Sequence, residues 1–99
     1  NQASVLVGDF LFSRAFQLMV EDGSLDTLRI LSNASAVIAE GEVLQLMSVN
    51  DANTTEQAYY EIVRCKTAEL FASAAEVGAT CAGAGHAQRD ALRAYGHNL

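Results

Sequence analysis

The chain has no proline, no tryptophan and only two cysteines in 99 residues, and charged side chains make up just 18% of it. Each shortage excludes something. Without proline, nothing breaks a helix by removing an N–H and crowding the preceding turn. The seven glycines are scattered singly, so there is no glycine-rich phosphate loop. Neither a catalytic-triad pattern nor a zinc motif is present. His86 and His97 have no cysteine or carboxylate cluster at ligand spacing and are read as surface or capping residues. Cys65 and Cys81 fall on one expected helix, where their spacing amounts to roughly 24 Å, far beyond disulfide reach. They read as small buried hydrophobes in a reducing compartment.

Positive charge is also scarce. Six Lys and Arg against twelve Asp and Glu leave a net charge of −6. That balance argues against nucleic acid and against anionic membrane surfaces as partners. An acidic protein still binds a polyanion when divalent cations bridge the two. No signal peptide is visible, and no integral membrane segment is expected.

What the chain has in excess is apolar, helix-favouring sequence: 51% of residues are hydrophobic. A single domain this short buries only about 60–65% of its unfolded surface. The surplus implies a partner or further chain. The absence of an initiating Met and a last helix without a stop signal agree with a single partial domain over residues 1–99.

Four helices are expected. The first runs roughly from Ser4 to Glu21 and is apolar around most of its circumference, with a polar line at Asp9, Ser13, Gln17 and Glu21. Such a helix is expected to be buried on most sides. Gly23 and Ser24 supply a C-terminal stop and an N-cap. The second helix covers Leu25 to Ser48, with Asp26 complementing the positive end of its dipole. After a break at Asn50-Asp51-Ala52-Asn53, Thr54 and Gln57 suggest a capping box for a third helix reaching Cys81. Gly83-Ala84-Gly85 ends it, and a fourth helix starts near His86.

Lys66 is the most informative residue. At helical spacing its neighbours are Ile62, Val63 and Leu70, so an ammonium lies within an apolar face. It needs an anionic partner or a route to water; the plainer alternative is that its stem packs and its head reaches solvent. Glu42 and Gln45 share a face of the second helix beside Ile38, Ala39 and Leu46, and Gly41 sits in the same turn. A glycine there permits close approach of another backbone or a ligand. The polar pair could support a substrate or a metal's water shell, or satisfy a neighbouring helix end.

Four collinear stretches resemble the trans-type polyprenyl diphosphate synthase family: Ser4–Phe12 (SVLVGDFLF), Ile38–Leu46 (IAEGEVLQL), Arg64–Phe71 (RCKTAELF) and Tyr95–Leu99 (YGHNL). Their wording is most similar to the family's bacterial long-chain members. The resemblance implies an all-α chain, a four-helix fragment of an isoprenoid-synthase-type helical bundle, usually homodimeric and cytoplasmic. It implies a prenyltransferase that condenses isopentenyl diphosphate with an allylic diphosphate, with Mg²⁺ held by two aspartate-rich motifs that would lie outside residues 1–99. On the matching positions, Lys66 contacts the allylic diphosphate, with Thr67 beside it near the forming cation. Glu42 and Gln45 fall on the polar positions of a Gly-Gln-x-x-Asp-like block; short-chain members often carry Asp where Gln45 stands. The first two helices would contribute to the dimer interface, so the isolated chain is expected to self-associate, for instance by exchanging helices, and to be inactive. Two competing readings remain: a non-catalytic helical interaction module with Lys66 paired to a core carboxylate, and a short-chain synthase.

Overall fold

The computed structural model describes residues 1–48 and 53–99. Every regular element among them is helical: α1 (Gln2–Asp22), α2 (Leu25–Ser48), α3 (Glu56–Val63), a π-helical turn (Arg64–Ala68), α4 (Glu69–Cys81) and α5 (His86–Asn98). Because α3, the π turn and α4 run on without a break, they form one bent rod, and four rods result, as expected.

The stops follow from local chemistry. Gly23 takes the left-handed conformation, φ 76°, and its N–H donates to the Val20 carbonyl. Ser24 Oγ then accepts from the Thr27 N–H at 3.1 Å and opens α2. Gly83 repeats the device at φ 74°. Its N–H bonds Thr80 O at 3.1 Å while Ala84 N–H reaches Ala79 O at 3.0 Å, a Schellman closure of α4.

One cap differs from expectation. Thr55, not Thr54, is the N-cap of α3, its hydroxyl accepting from the Ala58 N–H at 3.0 Å. The third helical position is then Ala58, so Gln57 cannot close a capping box. The Thr54 hydroxyl instead donates to the Ser48 carbonyl at 3.5 Å. Of the anticipated break, Asn50, Asp51 and Ala52 lie outside the described residues.

The core is made of small side chains. Ile30, Ala34, Cys65, Ala72 and Ala79 are buried, together with Thr27, Glu69 and Ser73. Small residues let helix axes approach closely, and Gly96 shows how closely: a Cβ there would sit 2.4 Å from the Phe71 carbonyl oxygen. α5 therefore lies with its backbone against α4. Arg89 ties the start of α5 to the start of α2, with Nη1 3.6 Å from Asp26 Oδ2.

α1 departs from the sequence reading. It was expected to be buried on most sides, yet none of its residues is buried. Leu6, Phe10 and Val20 are 61–65% exposed. The reason is geometric: among the described elements α2 alone contacts it. The radius of gyration, 15.6 Å, exceeds the about 13 Å of a compact 100-residue domain. Among the described residues α1 is also the one helix long and apolar enough to cross a membrane by length and composition, although no integral membrane segment is expected from the sequence. Cys81, in the last turn of α4, is likewise exposed rather than buried; Cys65 is buried as expected.

Candidate functional site

The site is built where α2 crosses the π turn. Gly41 is buried in α2, and a Cβ on it would come within 2.7 Å of Cys65 Cβ and 3.0 Å of Lys66 Cγ. The missing side chain is what allows the two elements to touch, the close approach expected of this glycine. With Cys65 seated under Gly41, Lys66 is carried alongside the next turn of α2. Its Nζ lies 2.9 Å from Glu42 Oε1, and it also donates to Gln45 Oε1.

Three of the four candidate residues thus converge on one ammonium group. Lys66 is 31% exposed and Glu42 is 61% exposed. The head is neither in a sealed apolar chamber nor loose in solvent, because two polar side chains hold it at the mouth of the helix crossing. The apolar face expected around it is itself largely open, with Leu70 51% exposed. An ion pair this accessible adds at most about 1 kcal/mol to stability, so the arrangement is better understood as aiming the amine than as holding the fold. Of its three N–H donors, two are engaged and one remains for an acceptor oxygen. Thr67 follows on the same turn with an exposed side chain.

The turn itself was not legible in the sequence. Over Arg64–Ala68 the backbone widens to π geometry, and the Glu69 N–H bonds the Arg64 carbonyl five residues back. Such turns are rare and cluster at functional positions. Two groups of side chains grip it. Before it, Glu61 and Arg64 pair at 2.5 Å. This lowers the Glu61 carboxyl's pKa through the Arg64 hydrogen bond and raises that of the Arg64 guanidinium. Arg64 Nη2 also lies 3.3 Å from Cys65 Sγ. After it, Glu69 is buried and accepts from Arg93 Nη2 at 2.9 and 3.0 Å, one contact to each carboxylate oxygen. Arg93 Nη1 reaches Glu76 Oε2 at 3.3 Å, and the Glu69 carboxylate, first among these neighbours, raises the Arg93 pKa. Ser73 Oγ stands 3.4 Å from Glu69 Oε1. Sequence reading passed over Glu69 and Arg93; a lone acid between Ala68 and the run Leu70-Phe71-Ala72 was the available sign.

Among the described residues no group of three or more His, Cys, Asp or Glu side chains could hold a metal ion. Glu42 has an ammonium against it, which disfavours a cation there. The fit of these residues to Mg²⁺ is poor. His86 and His97 are both exposed. The interaction-module alternative required Lys66 to pair with a core carboxylate; its partner Glu42 is instead exposed, and the core carboxylate Glu69 belongs to Arg93.

An all-helical layer is what the resemblance to helical isoprenoid-synthase bundles implies, and every regular element among the described residues is helical. The sequence matches the Polyprenyl synthetase family over residues 1–99, and the chain belongs to that family. It is 50% identical over its full length to the octaprenyl diphosphate synthase of Escherichia coli K12, of which it covers 31%. A polyprenyl synthase from Caulobacter crescentus CB15, solved with calcium and isoprenyl diphosphate, superposes with a TM-score of 0.93 at 60% identity over 98% of this chain and 33% of that one. A decaprenyl diphosphate synthase structure from Rhodobacter capsulatus gives 0.90 at 54% identity over 98% of this chain and 31% of that one. The chain thus spans about a third of the length of the relatives it matches.

Proposed function

We propose that residues 1–99 serve a long-chain polyprenyl diphosphate synthase, a prenyltransferase that extends an allylic diphosphate with isopentenyl diphosphate. In this reading Lys66 binds the allylic diphosphate. The C–O bond to that diphosphate breaks, the double bond of isopentenyl diphosphate attacks the allylic cation, and proton loss completes the new C–C bond. A fixed ammonium beside the departing diphosphate stabilises the charge that develops there. Glu42 and Gln45 aim the amine, and Thr67 lies next to it near the cation. The observation that carries the reading is the convergence of Lys66, Glu42 and Gln45 across the α2 crossing. The octaprenyl and decaprenyl names of the relatives support long-chain product over short.

Mg²⁺, which would neutralise the diphosphate when bound, belongs in this proposal to carboxylates outside residues 1–99, so no step above is routed through it. We propose further a cytoplasmic homodimer, or a helix-exchanged oligomer, in which another subunit would cover the exposed apolar circumference of α1.

The test is Lys66→Ala in a full-length synthase carrying residues 1–99. Its kcat/KM for the allylic diphosphate should fall about a hundredfold or more, with the isopentenyl diphosphate KM nearly unchanged. An unaltered allylic kcat/KM would remove the functional reading. Residues 1–99 alone, incubated with both substrates and Mg²⁺, should give no product above background.

A further inference from the structure

The pair formed by buried Glu69 and partly exposed Arg93 lies outside the substrate-facing group, yet it adjoins the turn that carries Lys66. Taking the Glu69 carboxylate out of water costs hydration that the attraction of Arg93 does not reliably return, so such a pair is weak support for stability, and its best-attested use is to fix register. Register is what is at stake here. A π turn accommodates one residue more than an α-helix of the same rise, so closing it to α geometry would rotate everything beyond it by about 100° relative to everything before it. The first half of the turn is fixed on α2 by Cys65 under Gly41. The segment after it is fixed on α5, by the two Arg93–Glu69 contacts at 2.9 and 3.0 Å and by the backbone approach at Gly96. The extra residue is stored between the two anchors, where Lys66 and Thr67 sit.

We propose that Glu69 and Arg93 are positioning residues that lock the π turn and thereby set the direction of Lys66 and Thr67. Glu69 does both halves of this task. Its N–H closes the wide turn onto the Arg64 carbonyl, while its carboxylate, 4% exposed, is held by Arg93 from α5. When Arg93 is lost, Glu69 turns toward solvent, the turn relaxes toward α geometry, and Lys66 swings off Glu42 and Gln45.

The kinetic part of this inference rests on the reading of Lys66 as a diphosphate contact; the register part does not, and the experiment separates them. In the full-length protein, Arg93→Ala should raise the allylic diphosphate KM about tenfold or more, leave the isopentenyl diphosphate KM within about twofold, and speed hydrogen exchange at the Glu69 amide about tenfold. Arg93→Lys, which keeps the charge but not the fork, should recover part of each change. Arg93→Ala leaves a buried carboxylate and could unfold the protein, so the pair is also replaced by Glu69→Met with Arg93→Leu, which keeps volume without the directional contact. That double variant should fold with a near-normal Tm and still show the fast amide and the raised allylic KM. A folded double variant whose amide at position 69 exchanges at the wild-type rate would overturn the lock. If Lys66→Ala leaves allylic kinetics untouched while the Glu69 amide still deprotects in the Arg93 variants, the functional reading falls and the register lock stands.

Discussion

α1 and the α4–α5 pair are opposites built from similar material. α1 is rich in large apolar side chains and buries none of them, whereas α4 and α5 bury mainly alanine, serine and glycine and pack backbone to backbone. Apolar content therefore does not decide which helix is packed. Shape does: small residues on two facing stripes close a gap within residues 1–99, and the large residues of α1 wait for a surface of matching size. The candidate site sits at the tight side of this contrast, where two glycines, Gly41 and Gly96, set the distances.

The sharpest way to break the tight side is Gly96→Ala. A methyl group there meets the Phe71 carbonyl oxygen at 2.4 Å, against rigid backbone that cannot swing away. The helix-propensity gain of about 1 kcal/mol does not compensate, and a net loss of about 3 kcal/mol is expected, at the upper end for overpacking. Urea unfolding of the full-length protein checks this; a midpoint as high as wild type would show that α5 sits further from α4.

On the open side the matching change is Phe10→Asp. Phe10 is 65% exposed within this chain, so a polar replacement costs nothing in residues 1–99 themselves. If another subunit covers α1, a carboxylate in that contact should weaken the dimer at least about tenfold, roughly 1.4 kcal/mol. Sedimentation velocity reads it directly, and an unshifted monomer–dimer equilibrium would mean that this face is covered otherwise.

Gly41→Ala should come next, at about 1 kcal/mol net. The contact at 2.7 Å is to a side-chain carbon, Cys65 Cβ, and the nearby Lys66 Cγ is flexible, so part of the clash relaxes. Its activity loss should exceed its stability loss, because moving the π turn off α2 separates Lys66 from Glu42. Equal loss in both would argue that Gly41 only packs.

How much of this was legible in the residues follows the same division. The end of α1 and the start of α2 are readable because Gly23 and Ser24 carry specific backbone chemistry, and the trio Lys66, Glu42 and Gln45 is readable from helical faces and from family resemblance. Three features were not. Thr54 and Thr55 are chemically equivalent caps, and only the backbone decides between them. The π turn leaves no trace in a pattern where Ile62, Val63 and Leu70 also satisfy ordinary helical spacing. The Glu69–Arg93 contact spans 24 residues between different helices, a separation that periodicity within one helix cannot report. The burial of α1 was misjudged because apolarity states a need for cover without saying that these 99 residues provide it.

The two cysteines give the smallest test of the contrast. Cys65 is 1% exposed, and burial pushes its thiol pKa above the usual value, with the Glu61 and Glu40 carboxylates adding to the rise and Arg64 opposing it. Its S–H points at Glu61 Oε1, 3.9 Å away, an acceptor that a thiolate would face as a like charge. The unfolded chain releases this proton near the ordinary thiol value, about 8.5, whereas the folded chain holds it to higher pH. Stability from this group is therefore intact below about pH 8.5 and declines as pH rises toward the folded value. Cys65→Ala should remove that alkaline slope while leaving neutral-pH behaviour to the cost of a slightly smaller side chain. At pH 8 a maleimide should label the exposed Cys81 promptly and Cys65 only as fast as the helix crossing opens, so rapid double labelling would mean that α2 does not stay seated on the π turn.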